Sequence, residues 1–112
     1  MDINGRALEV RVYIGESDRN GSMPTYEAVV RLLREKGCAG ATVLRGIEGF
    51  GAHSRIHTAS VLRLSSDLPV VVVAVDRAER IEALLPQLGK MVHGGLVTTT
   101  SVEVVHYGTA QG

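Results

Sequence analysis

Pro69-Val70-Val71-Val72-Val73-Ala74-Val75 is the stretch that decides how this chain folds. Its apolar run from Val70 to Val75 lacks the in-and-out alternation of a half-exposed strand, so the pattern predicts a strand covered on both faces, central in its sheet. The run is also far short of the roughly 20 apolar residues that a membrane-crossing helix requires.

Working outward, Asp76 follows the valines with Glu79 three residues later, a spacing that predicts an N-cap and capping box for a helix. Ile81, Leu84, Leu85 and Leu88 supply that helix with one apolar stripe. Pro86 lies inside it and predicts a bend or break near residues 82–85, because proline removes a hydrogen bond and crowds the preceding turn. Gly94 and Gly95 end the helical pattern, Val102, Val104 and Tyr107 predict a last strand, and residues 108–112 read as a flexible tail.

Toward the N-terminus, Leu8, Val10, Val12 and Ile14 alternate with Glu9, Arg11, Tyr13 and Gly15, the period of a strand with one apolar face. A polar stretch containing the Asn20-Gly21 turn signal leads to Pro24, whose fixed φ suits the first turn of a helix. Tyr26, Val29, Val30 and Leu33 recur at helical spacing, and Gly37 terminates the pattern. The order is β-α-β, a long connection, then β-α-β. Right-handed crossovers make this a ferredoxin-like α+β sandwich, a four-stranded antiparallel sheet with two helices on one face. Alternate valines of the central strand then point away from the helices, and a second copy of the chain is the simplest cover for them.

Composition narrows the function. The 112 residues predict one domain, 1–112, and 12 basic side chains balance 12 acidic ones, which removes the overall attraction expected of a nucleic-acid binder. Any anion site must therefore be local. The single cysteine, Cys38, excludes an intrachain disulfide, and the opening MDINGR is not a signal peptide, so the expected setting is cytoplasmic.

The local chemistry concentrates in Gly40–His57, GATVLRGIEGFGAHSRIH, which begins as a strand over about residues 41–47 and breaks into a glycine-punctuated, cationic loop. Gly46, Gly49 and Gly51 permit positive φ and close approach of the backbone to a ligand, while Arg45, Arg55, His53 and His57 can surround that ligand with positive charge. Neither the P-loop spacing nor a G-x-G-x-x-G before a helix is present. Residues 56–68 show no period long enough to choose strand or helix, and a connection of this length in a small domain points to binding or mobility.

The arrangement G-x-T-V-x(5)-G-F-G, carried by Gly40, Thr42, Val43, Gly49, Phe50 and Gly51, resembles the PII signal-transduction proteins. Over nearly the whole chain, YIGESDR, LLREKGCAGATVLRGIEGFGAHSRIHTA, LSSDLPVVV and IEALLPQLGKMV resemble more closely a bacterial and archaeal PII-like group, domain of unknown function 190. The resemblance implies a homotrimer with a T-loop-like segment at about 52–68. It also implies an adenine nucleotide held between subunits by Thr42, Gly49, Phe50 and Gly51, with Gly94 and Gly95 as a shorter second glycine loop. Ala52 and His53 replace the Arg and Gln that follow G-F-G in PII proteins, and the last strand, SVEVVHYG, lacks their phosphate-binding arginines. Arg45, Arg55 and Lys90 are the candidate substitutes, and AMP, ADP or another small anion fits the residues as well as ATP does. By analogy, occupancy is reported through the loop to an enzyme or a membrane transporter.

Two other classes bear comparison. His53 and His57, joined by His93 and His106 across an interface, could ligate zinc or copper, in the manner of the trimeric CutA metal-tolerance proteins that the fold also resembles. Catalysis is not expected: the chain has no G-x-S-x-G, no H-E-x-x-H and no evident acid/base carboxylate pair, and Cys38 in its small-residue setting reads as a packed thiol. The sequence therefore predicts a non-catalytic regulatory protein, with metal homeostasis as the alternative.

Overall fold

The computed structural model describes residues 5–50 and 67–108. In β1 (Gly5–Gly15) the sequence alternation becomes an alternation of burial, with Val10, Val12 and Ile14 inside and Glu9, Arg11 and Tyr13 on the opposite face. The polar stretch after it forms a small hairpin, β2 (Arg19–Asn20) and β3 (Met23–Pro24). Gly21 in its two-residue loop adopts φ +66°, a conformation that favours glycine. Strands this short carry no readable periodicity, which is why only their turn is visible in the sequence.

α1 (Thr25–Glu35) buries Thr25, Ala28, Val29, Leu32 and Leu33. This line is rotated from the expected stripe: Tyr26 and Val30 flank the core, partly buried, while the small Thr25 and Ala28 face inward. The helix ends where Gly37 turns to φ +81°. The Cys38 N–H then donates to the Leu33 carbonyl at 3.0 Å and the Gly37 N–H to that of Arg34 at 3.1 Å, the two bonds of a Schellman cap.

β4 (Thr42–Arg45) is shorter than the expected 41–47, because the Gly46 N–H donates to the Pro69 carbonyl at 2.7 Å and Ile47 turns out to 81% exposure. β5 (Pro69–Asp76) leads to α2 (Ala78–Met91), and β6 (Leu96–Val104) completes the sheet, starting earlier than expected and ending before Tyr107. α2 is not broken at Pro86. Ile81, Leu84 and Leu88 anchor it in the core on both sides of the proline, and the carbonyl that loses its partner belongs to exposed Glu82.

Asp76 is not the cap of α2; the N-cap is Arg77, and no side chain hydrogen-bonds there. Asp76 is instead the fully buried last residue of β5. It accepts hydrogen bonds from the Ala39 N–H at 2.8 Å and the Arg77 N–H at 2.7 Å, with the Arg80 Nε 3.4 Å away. One carboxylate thus joins the end of the central strand, the loop after α1 and the first turn of α2, which offsets the cost of burying it.

The sheet order is β4-β5-β1-β6, antiparallel throughout. Val10, Val12, Val70 and Val72 pack with Val29, Leu33, Ile81 and Leu88 into one core, so both helices cover the same sheet face. Each fully buried side chain of this kind contributes about 1.5–3 kcal/mol, a large share of a net stability of about 5–15 kcal/mol. The valine run is central, but only its even-numbered residues are buried within one chain; Val71, Val73 and Val75 lie half-buried on the open face. Their cross-strand neighbours there are Tyr13, Arg11 and Glu9. The expected cover on both faces is absent from a single copy because the helices serve one side only.

Candidate functional site

Where β1 ends, β5 begins and the turn after α2 closes on β6, the backbone encloses a cleft of about 420 Å³. Gly49 and Phe50 at the loop base, Gly94 and Gly95 of the turn after α2, and Tyr13 and Pro69 all line it. The glycines permit this approach through the missing Cβ: among the described residues, only Gly5, Gly21 and Gly37 have positive φ. A Cβ on Gly46 would lie 2.8 Å from Pro69 Cγ, and one on Gly95 only 2.2 Å from the Tyr13 carbonyl oxygen. The expected positive φ at Gly46 and Gly49 is therefore corrected; both lie close to Pro69, where a Cβ on Gly46 would force a shift and one on Gly49 would be tight at 3.2 Å from Pro69 Cγ.

The Glu16-Ser17-Asp18 turn fastens both stems of the loop. The Glu16 N–H donates to the Leu68 carbonyl at 2.7 Å, and the Ser17 hydroxyl donates to Asp67 Oδ1 at 2.8 Å. On the incoming stem, the Arg45 guanidinium pairs with the Glu16 carboxylate. Asp18 folds back to accept the Gly15 N–H at 3.0 Å. Asp18 and Asp67 both line the cleft and converge on Gly15, where a Cβ would meet their Oδ1 atoms at 3.1 and 2.7 Å.

The structure thus brings together Gly49, Phe50, Gly94 and Gly95 of the sequence-predicted residues. Thr42 and Arg45 lie on β4, Thr42 opposite Val73 and Arg45 opposite Val70, and neither lines the cleft. Lys90 is exposed in the last turn of α2, also away from the lining. Gly51, His53, Arg55 and His57, the histidine pair of the metal reading among them, lie outside the described residues. Among the described residues, no group of three or more His, Cys, Asp or Glu side chains could hold a metal ion. Burial pushes the Cys38 thiol up, with Asp76 reinforcing the shift and Arg80 opposing it, which keeps it protonated and poorly nucleophilic. Sequence reasoning missed Tyr13, Asp18, Asp67 and Pro69. The polar ESDRNGSM stretch was the available signal for Asp18; nothing local distinguishes Asp67.

No helix among the described residues is long and apolar enough to cross a membrane. The described fold resembles the solved structure of CPII, a nitrogen regulatory PII-like protein from Thiomonas intermedia K12, bound to ADP, AMP and bicarbonate. The TM-score is 0.67 at 18% identity, covering 90% of each chain, a likeness of fold. The UPF0166 protein of Aquifex aeolicus is 35% identical over 97 residues, covering 87% of this chain and 91% of its own. That of Methanocaldococcus jannaschii is 32% identical over 100 residues, covering 88% and 92%. The family model for DUF190, Uncharacterized ACR, matches residues 7–104, and the chain belongs to that family.

Proposed function

We propose that this chain is a non-catalytic, PII-like regulatory protein that binds an adenine nucleotide in the cleft and passes its occupancy to a partner protein through the segment at 52–68. The observation that carries the reading is the cleft itself, which the loop base at Gly49 and Phe50 lines together with Gly94 and Gly95. Its volume, about 420 Å³, is in the range of small-molecule sites, and its mix of apolar wall and a few polar groups suits a nucleoside. The CPII likeness, a PII-like protein bound to ADP and AMP, supports the same ligand class.

The protein works as a homotrimer in this reading. The open sheet face offers Val71, Val73 and Val75 together with Leu44, 52% exposed, and Leu96, 57% exposed, and a second copy would cover them. Regulation then follows from linkage: a nucleotide that contacts the loop base in one loop conformation favours that conformation by its differential binding free energy and no more. The partner is an enzyme or a membrane transporter by analogy with PII proteins.

Isothermal titration of the purified protein with AMP, ADP and ATP tests the ligand class. Saturable heat with at least one nucleotide is expected. Absence of heat with all three at millimolar concentration would remove adenine nucleotides from the account.

A further inference from the structure

The acidic lining poses a question of orientation, since a nucleotide carries its negative charge at one end. Among the described residues no Arg, Lys or His lines the main cleft, while Asp18 and Asp67 do. Arg45, the nearest candidate in sequence, is already paired with Glu16. Phosphate oxygens placed beside Asp18 and Asp67 would meet like charge, whereas the hydroxyls of a ribose would find acceptors there.

A smaller recess of about 170 Å³ adjoins the cleft, sharing Ile14, Asp18 and Gly94 with it. Its distinct lining includes Arg19 from the hairpin, Thr25 from the start of α1 and His93 from the turn after α2. The Arg19 side chain forms no ion pair with any described residue. Thr25 is 2% exposed, and its N–H donates to the Asp18 carbonyl at 2.8 Å. The N-terminus of α1, whose N-cap Pro24 supplies no side-chain bond, adds partial positive charge at the same place. A permanent cation, an imidazole and a helix start thus face Asp18 in one recess, beside a cleft whose described lining has two carboxylates and no cation.

We propose that the Arg19–Thr25–His93 recess holds the phosphate of a nucleoside monophosphate, with the ribose at Asp18 and the base in the larger cleft. The assignment rests on the adenine-nucleotide reading and fixes which end of the ligand goes where. The phosphate is then recognised from the hairpin and the turn after α2, and Arg45 remains with Glu16.

Calorimetric titration of the intact protein with AMP and with adenosine tests this. Wild type should bind AMP more tightly than adenosine. Arg19→Ala and His93→Gln should each weaken AMP about tenfold or more, the usual effect of losing one charge-assisted hydrogen bond, and leave adenosine within twofold. Arg19→Lys, which keeps the charge and loses the fork, should fall between, and Arg34→Ala on the exposed side of α1 should match wild type. AMP affinity within twofold of wild type in both Arg19→Ala and His93→Gln would overturn the recess while leaving nucleotide binding intact. Equal losses for AMP and adenosine would overturn it too, by making these residues structural. Wild type silent toward AMP, ADP, ATP and adenosine would overturn both the recess and the functional reading.

Discussion

Gly95→Ala gives the sharpest test of how the cleft is built. The added Cβ would stand 2.2 Å from the Tyr13 carbonyl oxygen, 2.7 Å from Val92 Cγ1 and 2.9 Å from Ile14 Cγ2. The two side-chain carbons can give way by rotation, but the carbonyl cannot, because Tyr13 is paired with Val71 on one side and Leu96 on the other. Relief requires shifting the start of β6, and overpacking of this kind costs about 1–3 kcal/mol, here at the upper end because the clash is with backbone. A loss of about 3 kcal/mol corresponds to a fall in Tm of roughly 10–20 °C for a domain of this size. Gly89→Ala is the matched control: it lies within α2 with nothing within 4 Å of where its Cβ would stand, so replacing glycine by alanine should stabilise by about 0.5–1 kcal/mol. Urea denaturation at one fixed protein concentration reads both. Gly95→Ala within about 0.5 kcal/mol of wild type, or the two variants shifting alike, would refute the steric argument.

Other outcomes follow from the same structure. Pro86→Ala should restore a hydrogen bond in an exposed, unbroken stretch of α2 and raise stability by about 1–3 kcal/mol in thermal unfolding; a decrease would mean that the proline is needed where it stands. Asp76→Ala should cost about 3–5 kcal/mol, because two backbone N–H groups lose a fully buried acceptor and Arg80 loses a buried counterion, and a loss under 1 kcal/mol in urea denaturation would show the junction to be dispensable. Val73→Asp, on the open sheet face, should yield a folded monomer by light scattering with native circular dichroism; an unchanged oligomer would place the interface elsewhere.

Much of the architecture is legible in the sequence where a period is long enough to read. The alternation from Leu8 to Ile14 gives β1 and its buried face, and the leucine spacing from Ile81 to Leu88 gives α2. The sequence also reads the valine run as central, and the fold then determines which side of it is covered. Local rules fail where tertiary contacts prevail. Asp76 has the composition of a cap yet is drawn into the core by Ala39 and Arg80, and Pro86 leaves α2 unbroken because core leucines hold the helix on either side. The glycine motifs mark two segments that line the cleft, Gly49-Phe50 and Gly94-Gly95. The acidic lining was not legible, since Asp18 and Asp67 are brought together only when the turn after β1 fastens the returning stem of the loop. Thr25 and Arg19 stayed hidden for a similar reason, as they share a recess with His93 only in the folded chain.

The central claim is that copies of this chain join through the open sheet face and hold an adenine nucleotide at the cleft near its end. Native mass spectrometry of the protein with added AMP and ADP tests both halves in one spectrum. The account predicts a species of three protomers carrying up to three nucleotides; a monomer, or a trimer that never carries a nucleotide, would contradict it.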